Sequence, residues 1–594
     1  MASYFAYTLG RSPRSGCAAS FGRPVKFEQL ALPSATLMRQ EDFTWTADSA
    51  GRPSVASFRG SAIAGGYRGW HGGHAVPRGA HTRRLRSPPF ASERQSERFA
   101  EAGAGNVNAL RRAWAAMRYS LSMKLLLLLG VAVSLHAQTY DLVIRGGRVL
   151  DPESALDAVR DVGVNGGRIA AVSAAPLRGR QVVEAKGLVV APGFIDLHAH
   201  GQDEENQRLQ AQDGVTTALE LEIGAADVEG WYREREGKRY IHSGVTVGHV
   251  GLRMRLMNDP SGSLVPSGAA KDREASEEDI TTLKAGVERG LRQGALGVGF
   301  GVQYTPGATR WEILEVFRVA GRFQAPVFTH IRTMGGGDRD AMIGLQEVLA
   351  NAAATGVGLH VVHATSSGLR NAGKLIQTVM EARARGVDIS TECYPYTAAM
   401  TDIASAIFDD GWQKVLGISY PGVQWVATGE RLTEASFARY RGQGGMVIMH
   451  MIPEEIARMA VAHRDVIIAS DGHIAGGKGH PRGAGTFARV LGRYVREQKA
   501  LTLAEAVRKM TLLPASRLEK YVPAMKAKGR IKAGGDADLV VFDAETIMDR
   551  ATFENPAVAS TGVRFLVVDG RVLIQDGALQ ESLRPGRAVR AKVE

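Results

Sequence analysis

The chain has two cysteines in 594 residues, Cys17 and Cys393. Cys17 lies in an N-terminal stretch of unusual composition, so the folded part has no second thiol to bridge to. A disulfide framework is excluded. Long hydrophobic runs are also scarce. The one that stands out is Met123-Lys-Leu-Leu-Leu-Leu-Leu-Gly-Val-Ala-Val-Ser-Leu-His-Ala137. Spanning a bilayer takes about 20 apolar residues, and this run is too short. A basic residue, a short apolar core and a small residue at the end read as a secretory signal peptide over 123–137. Such a segment is out of place behind 122 residues. The expectation is that translation starts at Met117 or Met123, and that residues 1–122 are an extension with no packed core. The protein would then be exported, periplasmic or extracellular, beginning near Gln138; without a working signal it stays in the cytoplasm. After signal removal no membrane partner is expected.

A basic surface is missing as well, although the net charge is +12. Residues 1–122 hold 17 Lys+Arg against 7 Asp+Glu, which leaves 56 against 54 for the rest. The folded part is close to neutral and offers no footprint for nucleic acid. Its hydrophobic share, 44% for the whole chain, is that of an ordinary globular protein.

Both ends of the remaining chain are strand-like. Tyr140-Asp-Leu-Val-Ile-Arg-Gly-Gly-Arg-Val-Leu150 and Asp161-Val-Gly-Val-Asn-Gly-Gly-Arg-Ile-Ala-Ala-Val172 alternate and carry Gly-Gly, which predicts hairpin turns. Gln181–Val190, Ala537–Phe542 and Arg564–Leu573 have the same style. One small β-sandwich built from residues 138–192 and 521–594 is expected. Between them apolar strands alternate with amphipathic stretches such as Glu278–Arg292, Thr309–Phe323, Asp340–Thr355 and Lys374–Gly386. Strands and helices in alternation imply parallel βα units. The fold class is therefore α/β, with a (β/α)8 barrel over 193–520, whose site lies at the C-terminal strand ends.

The chemistry-bearing residues fall at those ends. Leu188-Val-Val-Ala-Pro-Gly-Phe-Ile-Asp-Leu-His-Ala-His200 closes an apolar run with two histidines. Strand side chains alternate, so His198 and His200 share a face. His330 closes Ala325-Pro-Val-Phe-Thr-His330, His363 closes Gly358-Leu-His-Val-Val-His363, and Asp471 closes Asp465-Val-Ile-Ile-Ala-Ser-Asp471. Imidazoles and carboxylates gathered at one barrel end suit a divalent metal. His360 has odd spacing from His363 and belongs to the core. His249, ending another apolar run, is a candidate to face substrate.

Together, the Pro-Gly-Phe-Ile-Asp-Leu-His-Ala-His motif, two later strand-end histidines and the late Ser-Asp resemble the amidohydrolase superfamily. Gly294-Ala-Leu-Gly-Val-Gly-Phe-Gly-Val-Gln-Tyr-Thr-Pro306, Thr329-His-Ile-Arg332, Tyr394-Pro-Tyr396 and His480–Tyr494 are similar to motifs of its N-acyl-D-amino-acid deacylases, the D-aminoacylases. The resemblance covers roughly 140–580. It implies one or two Zn2+ ions, with His198 and His200 at one position and His330 and His363 at the other. It implies Asp471 as general acid/base, also near the metal, and Arg482 and Tyr394 as holders of the substrate carboxylate. The implied reaction is hydrolysis of a small N-acyl-D-amino acid to a D-amino acid and a carboxylate.

The sequence departs from that family at two places. A metal-ligating cysteine is expected after Gly-Val-Thr-Thr, but Gly214-Val-Thr-Thr leads into Ala218-Leu-Glu-Leu-Glu-Ile-Gly224, with Ile223 in the cysteine's place. Glu220 and Glu222 flank it, and Glu222, nearer the strand end, is the favoured bridging carboxylate. A family serine that helps hold the substrate carboxylate is matched by Met400. These changes leave room for a D-dipeptidase, a cyclic-amide hydrolase or a metal-binding homologue without catalysis. Cyclic amidases of the superfamily carry a carboxylated lysine at strand four, and Gly294–Pro306 has no lysine. The retained Asp471 argues against mere metal storage.

Overall fold

A computed structural model describes Trp114 and residues 139–335 and 340–594. The apolar run at 123–137 and its upstream extension lie outside the described residues. Among the described residues, no helix is long and apolar enough to cross a membrane.

Eight strands lie side by side in chain order: β1 (Phe194–Asp196), β2 (Val215–Ala225), β3 (His242–Gly248), β4 (Val298–Gly301), β5 (Val327–His330), β6 (Leu359–Val361), β7 (Ile389–Cys393) and β8 (Ile467–Ile468). All neighbouring pairs are parallel. A parallel bridge between Ala199 and Gly472 links the two outer strands just beyond their ends. The amide of Asp471 donates to the His198 carbonyl there at 2.7 Å. The eight strands thus form a near-closed (β/α)8 barrel.

Helices form where the sequence supplies both a buried stripe and a cap. Glu277–Arg292 buries Ile280, Leu283, Val287 and Leu291, spaced by three or four residues. Ser276 and Asp279 close its N-terminus as a capping box. Thr309 and Asp340 cap the helices Arg310–Arg322 and Ala341–Thr355, and Gly356 in the left-handed region ends the latter.

The two chain ends build a second layer, a nine-stranded sheet. Its strands obey a period of two. Val190, Leu539 and Val541 pack into a core enclosed by this sheet, whereas Val189, Ala191, Val540 and Phe542 join the barrel's core. The Gly-Gly at 146–147 does not make the predicted hairpin. Thr139–Asp151 is one strand with a bulge between Ile144 and Gly147, and Gly146 sits at φ +68°. The extra residue shifts the strand's parity, so Leu142 and Ile144 before it and Val149 after it reach the same core. The second Gly-Gly, 166–167, does turn a hairpin, between Leu156–Asn165 and Arg168–Ser173.

Candidate metal centre

Six side chains converge at the C-terminal mouth of the barrel in two groups, His198–His200–Asp471 and Glu222–His330–His363. His198 and His200 follow β1, Glu222 lies late in β2, His330 ends β5, and His363 and Asp471 follow β6 and β8. His198 Nε2 and His200 Nε2 face each other at 3.1 Å. Two imidazole nitrogens this close, His198 buried and His200 partly exposed to the cavity, form a donor pair suited to sharing a cation.

Glu222 stands between the groups. Its Oε2 lies 3.3 Å from His198 Nε2 and 3.2 Å from His200 Nε2. Its Oε1 lies 3.0 Å from His330 Nδ1 and 3.1 Å from His363 Nε2. Burial alone would raise the carboxyl pKa, but the surrounding histidines hold it well below the usual range. The geometry follows from a break in strand register: between Glu220 and Ala225 five steps on β2 oppose two on β3, from Val245 to Val247. The chain curls there, with the amides of Ile223 and Gly224 donating to Glu220 Oε1. Gly224 allows it, at φ +67° and with Thr246 backbone too close for a Cβ.

Each histidine has its other ring nitrogen held by a second group. His198 Nδ1 lies 2.6 Å from Glu392 Oε1, and His200 Nδ1 lies 2.7 Å from Glu220 Oε2. His330 Nε2 lies 2.7 Å from Gln303 Oε1, and His363 Nδ1 lies 3.1 Å from Ser367 Oγ. Such outer partners fix the tautomer and ring orientation of metal-binding histidines. Glu392 also takes His360 Nε2 at 3.0 Å, which places His360 in the core behind the site. Sequence reasoning missed Glu392 and Gln303. The signal for Glu392 was a carboxylate inside the buried strand Ile389–Cys393, which demands a partner.

Asp471 has its Oδ1 3.3 Å from His200 Nε2 and 3.5 Å from His198 Nε2, while Arg482 Nη1 lies 2.9 Å from Oδ2. Burial works against the charged form of Asp471, but Arg482 and His198 hold its pKa below the ordinary value. Asp471 and His363 both adopt left-handed backbone, at φ +53° and +31°. Non-glycine residues in that region are costly and cluster at functional sites.

A cavity of about 700 Å³ opens over these groups and is lined by Glu222, His200, His363, Asp471 and Arg482 among others, a size that suits a small molecule. Tyr394 does not line it; its ring lies under the Arg482 guanidinium, 4.5 Å away, and orients that group. Burial drives the Tyr394 phenol pKa up, which keeps the hydroxyl protonated. His249 does not line it either: it is fully buried, with Nε2 2.7 Å from Glu312. Met400 does line it. Arg332 is occupied by Glu347 and so makes no pair with Glu220 or Glu222. Cys393 is buried, and desolvation pushes its thiol pKa up to about 12.

Comparison with known proteins agrees with this architecture. Residues 253–574 match the amidohydrolase family. The chain is 33% identical to N-acyl-D-glutamate deacylase of Alcaligenes xylosoxydans xylosoxydans over 496 residues, covering 76% of this chain and 96% of that one. It is 30% identical to the D-aminoacylase of the same organism, covering 74% and 96%. The crystal structure of N-acyl-D-glutamate deacylase from Bordetella bronchiseptica, complexed with zinc and a phosphonate inhibitor, superposes with a TM-score of 0.65 at 26% identity, covering 76% of this chain and all of that one. The chain belongs to the amidohydrolase family.

Proposed function

We propose that this protein hydrolyses the amide bond of N-acyl-D-amino acids, using zinc held by His198, His200, Glu222, His330, His363 and Asp471. One observation carries the proposal: four histidines surround the two oxygens of a single carboxylate, Glu222, and Asp471 lies against two of them, at a substrate-sized cavity. The donors are nitrogen and carboxylate oxygen, a set that zinc accepts. Relatives named for deacylation of N-acyl-D-amino acids and a zinc-bound structural neighbour support the same activity. Glu222 would supply the carboxylate ligand in place of a cysteine, because Ile223 offers no donor atom.

Zinc bound there supplies Lewis acidity toward water and toward an amide carbonyl. Asp471 accepts the proton of the attacking water and passes it to the departing amine nitrogen. Arg482, buried beside Asp471, presents a planar fork to the substrate's α-carboxylate. Tyr394 keeps that fork in place through its ring. Glu392, Glu220, Gln303 and Ser367 hold the imidazoles in the tautomers that binding requires.

The test is hydrolysis of N-acetyl-D-methionine by the purified protein. A strong zinc chelator is expected to abolish amine release, and added zinc to restore it. Undiminished turnover after chelation would rule the metal centre out of the reaction.

We also infer export, supported by the pattern at 123–137. A processed N-terminus near Gln138 in the periplasm or medium is the expected result, and an unprocessed cytoplasmic chain would refute it.

A further inference from the structure

The cavity wall bears one carboxylate outside the metal centre. Asp402 ends the strand Ala399–Asp402, which pairs antiparallel with Met446–Met449. Its Oδ1 accepts the amides of Ala404, at 2.8 Å, and Gly445, at 3.2 Å. These bonds fix the carboxylate without neutralising it. Among the described residues no cation pairs with Asp402. Arg441 and Lys271 are both engaged by Asp409, and Arg441 also donates to the Ile403 and Ser405 carbonyls. Neither of them lines the cavity. Arg482 is the one arginine or lysine among the described residues that do, and it lies against Asp471.

The cavity wall that bears Asp402 is mixed, with Ser261, Ser263, Thr401 and Gln443 beside aliphatic side chains. Met400, two residues earlier on the same strand, and Met446, the cross-strand partner of Asp402, both line the cavity, as do Leu264 and Val265 from the loop after the helix His249–Leu256. Two methionine side chains beside a fixed, unpaired carboxylate match an aliphatic stem that carries a cation at its tip. The carboxylate repels an anion, because a like charge brought into such a site has no counter-ion.

We propose that Asp402 selects the side chain: the preferred substrates are N-acyl derivatives of D-lysine, D-ornithine or D-arginine, and acidic side chains are rejected. This rests on the deacylase function proposed above. It sets the chain apart from the relative named for N-acyl-D-glutamate, despite 33% identity.

The test compares N-acetyl-D-lysine, N-acetyl-D-leucine and N-acetyl-D-glutamate on the zinc-loaded protein and its Asp402→Asn variant. Asparagine keeps the acceptor for Ala404 and Gly445, so the wall stays folded. The wild type is expected to favour lysine over glutamate by roughly 100-fold in kcat/KM, with most of the difference in KM. In Asp402→Asn that ratio is expected to fall by at least about tenfold. A wild-type preference for glutamate, or a ratio unmoved by Asp402→Asn, would overturn the proposal and leave deacylation standing. Failure to hydrolyse any of the three would overturn the deacylase function itself, and the proposal with it.

Discussion

His330 turns its Nδ1 toward Glu222 Oε1, 3.0 Å away, whereas the other three histidines of the centre turn Nε2 inward. The inversion has a local cause. Gln303, on the turn after β4, receives His330 Nε2 at 2.7 Å and fixes the ring from behind. With one oxygen committed to His330 and His363 and the other to His198 and His200, Glu222 spans both halves of the site.

Replacing Glu222 with alanine is therefore expected to remove zinc as well as activity. Elemental analysis should show at least about one ion per chain lost, and kcat/KM should fall by more than about 100-fold, the upper end for outer partners of metal ligands. Full zinc content with intact activity would mean that the zinc is held without Glu222.

Asp471→Asn separates proton transfer from metal binding. Asparagine retains an oxygen donor but is a far weaker base. A fall in kcat of about 10²–10⁴-fold is expected, with zinc still bound in elemental analysis. Unchanged kcat would remove Asp471 from its role as the general base.

Glu392 acts at one remove, through His198 Nδ1. Glu392→Gln keeps an acceptor but discards the charge that makes the imidazole a better donor. Zinc affinity, read by competition with a chromophoric chelator, is expected to weaken by about 10–100-fold. An unaltered affinity would make Glu392 a packing residue only.

Acid stability has a separate origin, where the terminal sheet meets the barrel. Asp538 accepts from His242 Nε2 at 2.9 Å, Lys528 Nζ at 2.5 Å and the Asp569 amide at 2.8 Å. Burial would raise its pKa, but His242 and Lys528 drive it well below the carboxylate range. A carboxylate depressed on folding stabilises above its unfolded pKa of about 4 and loses that contribution as the pH falls below it. Asp538→Asn is expected to cost about 3–5 kcal/mol at pH 7, measured by guanidinium unfolding, with the gap to wild type closing below pH 4. A gap independent of pH would contradict the pairing.

Much of this site was legible because strands alternate and barrels expose their C-terminal ends. His198, His200, His330, His363 and Asp471 each close an apolar run, and the structure brings all five together. Glu222 was harder. A regular strand would have given Glu220 and Glu222 the same face and the same task. The curl between Glu220 and Ala225 instead sends Glu220 to His200 and Glu222 to the centre. Gln303 left no trace in the sequence, since its place on a short turn has no period to read. The hairpin predicted at Gly146-Gly147 failed because a glycine pair serves a bulge as readily as a turn. His249 also ends an apolar strand, yet it faces Glu312 behind the barrel wall, a difference set by tertiary packing.

The central claim is tested most directly by stereochemistry. The zinc-loaded protein is offered paired N-acetyl-D- and N-acetyl-L-amino acids bearing the same side chain, and release of free amino acid is followed. Turnover of the D-series alone is the predicted result. Turnover of the L-series, or of neither series by folded, zinc-loaded protein, would contradict it.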